Sequence, residues 1–126
     1  MLVRLQMAAN ESSASGSDRL KAAVARVCSP DSHYWACRRD DEIDFAKNYE
    51  VEVRLNVDPK AASTFVAPLG WRVAHSKPDD GMVFLRRNQS LTDDALKAMF
   101  REVLALAIEC NGRFHSWMHA PDLPDW

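Results

Sequence analysis

The chain has 126 residues, 47% of them hydrophobic, which suffices for one domain around one core. Its 18 acidic and 16 basic side chains leave a formal charge of −2, which gives no broad attraction to a phosphate backbone and counts against direct nucleic-acid binding. No apolar run approaches the roughly 18 residues of a membrane span, and three cysteines suit a reducing compartment better than a disulfide scaffold, so a cytoplasmic, non-membrane protein is expected.

Residues 1–17 carry Asn10, Glu11 and a Ser/Ala/Gly run that buries too little to order itself. Met1–Ala9, broken by Arg4 and Gln6, is no signal-peptide core, and Met7 offers a second candidate start. Residues 18–47 read as an extension. A short helix from Ser17 or Asp18 places Leu20, Ala23, Val24 and Val27 on one face, and Pro30 stops it. The connector Ser29–Lys47 holds the charge run Arg38-Arg39-Asp40-Asp41-Glu42, read as a solvated loop, with one short extended piece at His33–Arg38.

Residues 48–120 read as the folded domain. Tyr49, Val51, Val53, Leu55 and Val57 alternate with Glu50, Glu52, Arg54 and Asn56, which predicts a strand with one buried and one polar face. Asp58-Pro59 pairs an N-cap with a first-turn proline and opens a helix to about Leu69, ended by Gly70. Trp71–Ser76 reads as a strand, Lys77–Gly81 as a hairpin turn, and Met82–Arg87 as a nearly continuous apolar strand with Arg86-Arg87 as its solvated end.

A long helix follows from Thr92 to Asn111, with Thr92 as N-cap, Asp93 and Asp94 in the first turn and Gly112 as C′ residue. Leu96, Met99, Phe100, Val103, Leu104, Leu106, Ala107 and Cys110 share its apolar arc. Arg113–Ala120 closes the pattern as a last strand, and the tail 121–126 is expected to wander. Val53, Leu55, Phe65, Phe84, Phe100, Val103 and Phe114 are the expected core.

The order strand, helix, strand, strand, helix, strand predicts an α+β, ferredoxin-like βαββαβ sandwich: a four-stranded antiparallel sheet with two helices on one face, plus an N-terminal helical extension. The opposite sheet face is left open, a surface for a partner, a dimer or the extension.

Signals for chemistry are weak. Cys28-x4-His33-x3-Cys37 has metal-ligand residue types, but a closed knuckle needs tighter, paired spacing, and no metal or cofactor is expected. His115 and His119 share a face of a strand yet lie about 13 Å apart at ~3.3 Å per residue. Asp40, Asp41, Glu42 and Asp44 sit among Arg38, Arg39 and Lys47 and read as solvated, not as an acid–base pair. No nucleophile signature or phosphate-cradling loop is present, so no enzyme is expected. Glu50 and Glu52 on the polar face of the first strand oppose an RNA-stacking platform.

Four features resemble the RraB family, regulators of ribonuclease E activity. They are the alternating strand ahead of an Ala-rich helix (Val51–Val57, then Ala61–Phe65), Leu69-Gly70-Trp71-x-Val73, the Leu91-Thr92 start of a long helix, and Gly112-x-Phe114-x-Ser116-Trp117. The likeness covers roughly residues 49–117, and Ser116 stands where that family usually has glycine. It implies a non-catalytic protein that binds the scaffold of ribonuclease E and modulates RNA cleavage. The alternative is a ferredoxin-like self-association or small-molecule-binding module with no tie to RNA turnover. An acylphosphatase-like enzyme ranks last, because Asn56-Val57-Asp58-Pro59 offers no phosphate loop.

The expected contact surface is acidic: Glu50 and Glu52 on the open sheet face, with Asp40 and Asp41 nearby, inviting a basic protein segment. Trp117, with His115 beside it, is the expected aromatic anchor. The same open face is the expected surface for a homodimer.

Overall fold

A computed structural model describes residues 16–29, 32 and 43–126, apart from the side chain of Phe65. The described elements are α1 (Gly16–Val27), β1 (Asn48–Asn56), α2 (Pro59–Val66) with a 3-10 turn (Ala67–Leu69), β2 (Arg72–Lys77), a second 3-10 turn (Pro78–Asp80), β3 (Met82–Ser90), α3 (Asp93–Glu109) and β4 (Arg113–His119). Gly16, expected in a disordered segment, opens α1, one residue ahead of the earliest expected start at Ser17. The extended piece expected at residues 33–38, the ligand set completed by His33 and Cys37, and the acids Asp40 and Asp41 lie outside the described residues. Among the described residues, no helix is long and apolar enough to cross a membrane.

The fold is α+β, with one four-stranded sheet in the order β2-β3-β1-β4. Every neighbouring pair is antiparallel. It follows that β1 and β2 run parallel with β3 between them, while β3 and β4 run parallel with β1 between them.

Alternation along β1 turns Val51, Val53 and Leu55 to one face, where each is fully buried. Val83 and Leu85 of β3 join them, and α2 (Ala62, Val66) and α3 (Leu96, Met99, Phe100, Val103) pack over this face in one cluster. Helix α1 lies against α3 through Ala23 and Val27.

Local chemistry explains the boundaries. The Asp58 carboxylate caps α2 by accepting from the Lys60 amide at 3.3 Å, and Thr92 Oγ1 caps α3 by accepting from the Ala95 amide at 3.3 Å. Helix α2 gives way at Ala67 to a tighter turn, ended by Gly70 at φ 84°. The left-handed residue after α3 is Asn111 at φ 55°, not Gly112. Asn111 and Gly112 donate to the carbonyls of Ile108 and Ala107, which satisfies the end of the helix. Gly112 is needed for a different reason: a Cβ there would lie 2.2 Å from the Asn56 carbonyl oxygen.

Three core expectations are corrected or fall outside the structure. Phe84 is buried but points to the opposite sheet face from Val83 and Leu85, so it is no part of the helix-side core. Phe114 is half-buried at the edge of the cluster, edge-on to Phe100 at 5.8 Å. The Phe65 side chain lies outside the description.

Candidate functional site

The sheet face away from the helices is built from alternate residues of all four strands, with Ser116 and Met118 of β4 across from Arg54 and Glu52. On β1 these are Glu50, Glu52 and Arg54; on β3 they are Phe84, Arg86 and Asn88, paired across with Arg54, Glu52 and Glu50. Arg72 and His75 of β2 continue the rows opposite Arg86 and Phe84.

The acidic row is not an open negative surface. Glu52 is wholly buried. Its Oε1 accepts from Arg86 Nε at 2.8 Å and its Oε2 from Arg54 Nε at 2.8 Å. Glu50 pairs with Arg72, and its Oε1 lies 3.9 Å from Arg86. Three arginines thus neutralise two carboxylates, and the negative surface expected from Glu50 and Glu52 is cancelled. Arg86, read as a solvated strand end, is buried; Arg54 lies over the Phe84 ring at 4.9 Å, with Lys77 at 5.7 Å.

The tail completes this face instead of wandering. Ala120 donates to the Glu50 carbonyl at 2.9 Å, which starts the segment across β1. Arg86 donates to the Pro124 carbonyl. Trp126 stacks on His75 with centroids 4.1 Å apart and planes 3° apart, and meets Phe84 edge-on at 5.0 Å. Its indole Nε1 donates to Glu52 Oε1 at 2.6 Å. Glu52 therefore accepts from two arginines and one indole, the strong charge-assisted arrangement for a buried carboxylate.

Trp117 and His115 do not form a surface anchor. The β1–β4 register shifts between Arg54 and Leu55, leaving His115 as a bulged residue between Phe114 and Ser116. Trp117 turns to the helix side, is buried and meets Phe100 at 5.6 Å and 87°. His119 shares its face, buried beside Trp117 at 5.7 Å. His115 is exposed, and its Nδ1 lies 2.8 Å from the neighbouring Ser116 hydroxyl. Among the described residues, no group of three or more His, Cys, Asp or Glu converges as a metal site.

A second surface lies where the 3-10 turn after α2 meets α3. Pro68, Leu69, Ala105 and Leu106, together with Glu102 and Glu109, line a mostly apolar groove of about 380 Å³. Leu69 is 41% exposed there. Arg87 holds Glu102 from the sheet side, donating at 2.8 and 3.1 Å, and also donates to the Leu69 carbonyl at 2.8 Å. Its guanidinium lies 4.1 Å from the Trp71 ring centroid, so Arg87 is a structural tie and not a solvated strand end.

The residues missed from the sequence are His75, Phe84 as a face residue, Arg86 and Trp126. One signal pointed to them. The unbroken run Met82-Val83-Phe84-Leu85 is what a strand covered on both faces looks like, and the cover on the second face is the tail.

The glycines and aromatics of the four sequence motifs have physical roles in the domain. Gly70 takes a left-handed turn, Trp71 is buried beneath Arg87, Gly112 clears the β1 backbone, and Phe114 and Trp117 flank Phe100. These are positions that shape the domain. Compared with known proteins, the chain matches no family model and no curated protein significantly.

Proposed function

We propose that the chain is a non-catalytic, cytoplasmic protein-binding regulator, built on a ferredoxin-like fold and related in function to the RraB proteins it resembles. The order β2-β3-β1-β4 reads from the other edge as 4-1-3-2, which is how two interleaved β-α-β units arrange their strands, and this supports the ferredoxin-like reading. The expected partner is the scaffold of ribonuclease E.

The observation that carries the reading is the groove lined by Pro68, Leu69, Ala105, Leu106, Glu102 and Glu109. Its apolar floor takes the apolar side of an amphipathic segment, and the Glu109 carboxylate complements a Lys or Arg on that segment, Glu102 being held by Arg87. The contact surface thus moves from Glu50 and Glu52, which are spent on arginines, to the α3 groove. Self-association through the tail-covered face would require displacing Trp126, which makes it the weaker alternative.

Calorimetric titration of the full chain with the ribonuclease E scaffold tests this. Binding that weakens with salt is expected, with Glu109→Lys and Leu69→Asp each reducing affinity about tenfold or more. Absence of binding, together with unchanged RNA cleavage when the protein is added to ribonuclease E, overturns the reading.

A further inference from the structure

We propose that the sheet face opposite the helices carries a recognition site for a Pro-x-Trp segment of a partner protein, a site that the chain's own Pro124-Asp125-Trp126 occupies in cis. This site is separate from the α3 groove and does not depend on the ribonuclease E reading.

Its parts are fixed by the sheet. Glu52 is wholly buried at the centre and presents Oε1 to the indole N–H at 2.6 Å. Arg86, held by the same Oε1 at 2.8 Å, reaches the Pro124 carbonyl. His75 supplies a parallel ring and Phe84 an edge contact. The two polar anchors are the carbonyl of one residue and the side chain of the residue two further on. An indole N–H, a flat ring and a preceding carbonyl are therefore read together.

The cover does not resemble a plain apolar plug. A lid serves by excluding water, and apolar residues of similar volume do so without burying charge. Here a buried carboxylate and guanidinium, paired with each other, also make directional bonds to the occupant. The occupant is also seated at the rim, since Trp126 remains 48% exposed. Such a segment exchanges with solvent more readily than a core side chain.

The tether decides which occupant can replace it. A short linker presents the tail at an effective concentration on the order of mM, so an identical tail from a second copy competes only near that concentration. A partner segment that adds contacts beyond Pro-x-Trp displaces it at lower concentration.

The test uses the full chain, labelled with nitrogen-15, and an unlabelled, end-blocked Leu-Pro-Asp-Trp peptide as probe. As peptide is added, the Trp126 indole N–H resonance is expected to move toward its solvent position and saturate. Trp126→Ala should bind the peptide about tenfold or more tighter than wild type, since the internal competitor is gone. In that background Glu52→Gln should weaken binding about tenfold, and a peptide with Phe in place of Trp should bind as weakly, because each removes one side of a charge-assisted bond. Should Trp126→Ala not fold, Trp126→Phe keeps the ring, loses the N–H, and should still bind the peptide more tightly than wild type. An unmoved Trp126 resonance up to mM peptide, with neither variant binding more tightly, overturns the site. Wild-type dimers well below mM that vanish in Trp126→Phe overturn the partner assignment in favour of tail exchange between copies.

Discussion

Arg87 on β3 grips Glu102 on α3 end-on, with Nη1 donating to Oε1 at 2.8 Å and Nη2 to Oε2 at 3.1 Å. Because the same side chain lies on Trp71 and bonds the Leu69 carbonyl, it joins sheet, long helix and the turn after α2 at one point. Arg87→Ala is expected to cost about 2–3 kcal/mol, a charge-assisted pair plus lost packing. Arg87→Lys keeps the charge but neither the fork nor the stacking, and should recover less than half of that. Urea unfolding midpoints of the two variants against wild type provide the check.

Phe100 is fully buried where α3 crosses the sheet, with Phe114 and Trp117 edge-on at 5.8 and 5.6 Å. Phe100→Ala should destabilise by about 3–5 kcal/mol, a large part of a small domain's stability. Lys97→Ala, on the exposed side of the same helix, serves as the comparison and should shift the midpoint little. Equal shifts would mean that the helix presents a different face.

Gly112 and Gly81 should respond differently to the same change. At Gly112 an added methyl meets the Asn56 carbonyl oxygen at 2.2 Å and Val57 Cγ1 at 2.4 Å, and the first of these is backbone. Gly112→Ala must push β4 away from β1 and should cost about 3 kcal/mol or more. Gly81 has open space around it but sits at φ 60°, so Gly81→Ala should cost only about 1 kcal/mol of backbone strain. Paired thermal melts separate the two causes.

The thiols of Cys28 and Cys110 should respond poorly to alkylating reagents near neutral pH. Burial raises both above the ordinary thiol value of 9.0, with Lys97 partly opposing this at Cys28 and the carboxylates of Glu109 and Asp58 adding to it at Cys110. The fold thus favours the protonated thiol. Its contribution to stability is complete below 9.0 and is lost as pH climbs from there through the raised folded values. The fall in melting temperature above pH ~9 should therefore be shallower in a Cys28→Ser/Cys110→Ser variant than in wild type. Parallel curves would discount the thiols as its source.

The elements that declared themselves did so through local pattern. Val51, Val53 and Leu55 carry a two-residue period, and Leu96 to Ala107 a helical one, each bounded by a cap or a proline. The last residues of β3 carried no such mark. Asn88-Gln89-Ser90 are polar, and only their pairing with Asn48–Glu50 makes them strand. The open face was misread for a related reason. Alternation assigns Glu52 to the side opposite Val53, but what lies across from it is decided 34 residues later at Arg86 and 74 residues later at Trp126. Charge counted along one strand cannot report a cation that arrives from another.

The unpaired residue in β4 has a consequence for chain length. A strand ordinarily rejects the loss of a residue, because every side chain beyond it changes face. Removing Arg54 from β1 would do that to Leu55. Removing His115 would not: Phe114 and Trp117, now three apart around a bulge, would become two apart on a regular strand and still face Phe100. The other irregularity, between Val73 and His75, lies in β2, and these two strands are the edges of the sheet. The margins of this domain can therefore lose a residue where its centre cannot, so length variation among its descendants should collect at His115 and Ala74 and avoid β1.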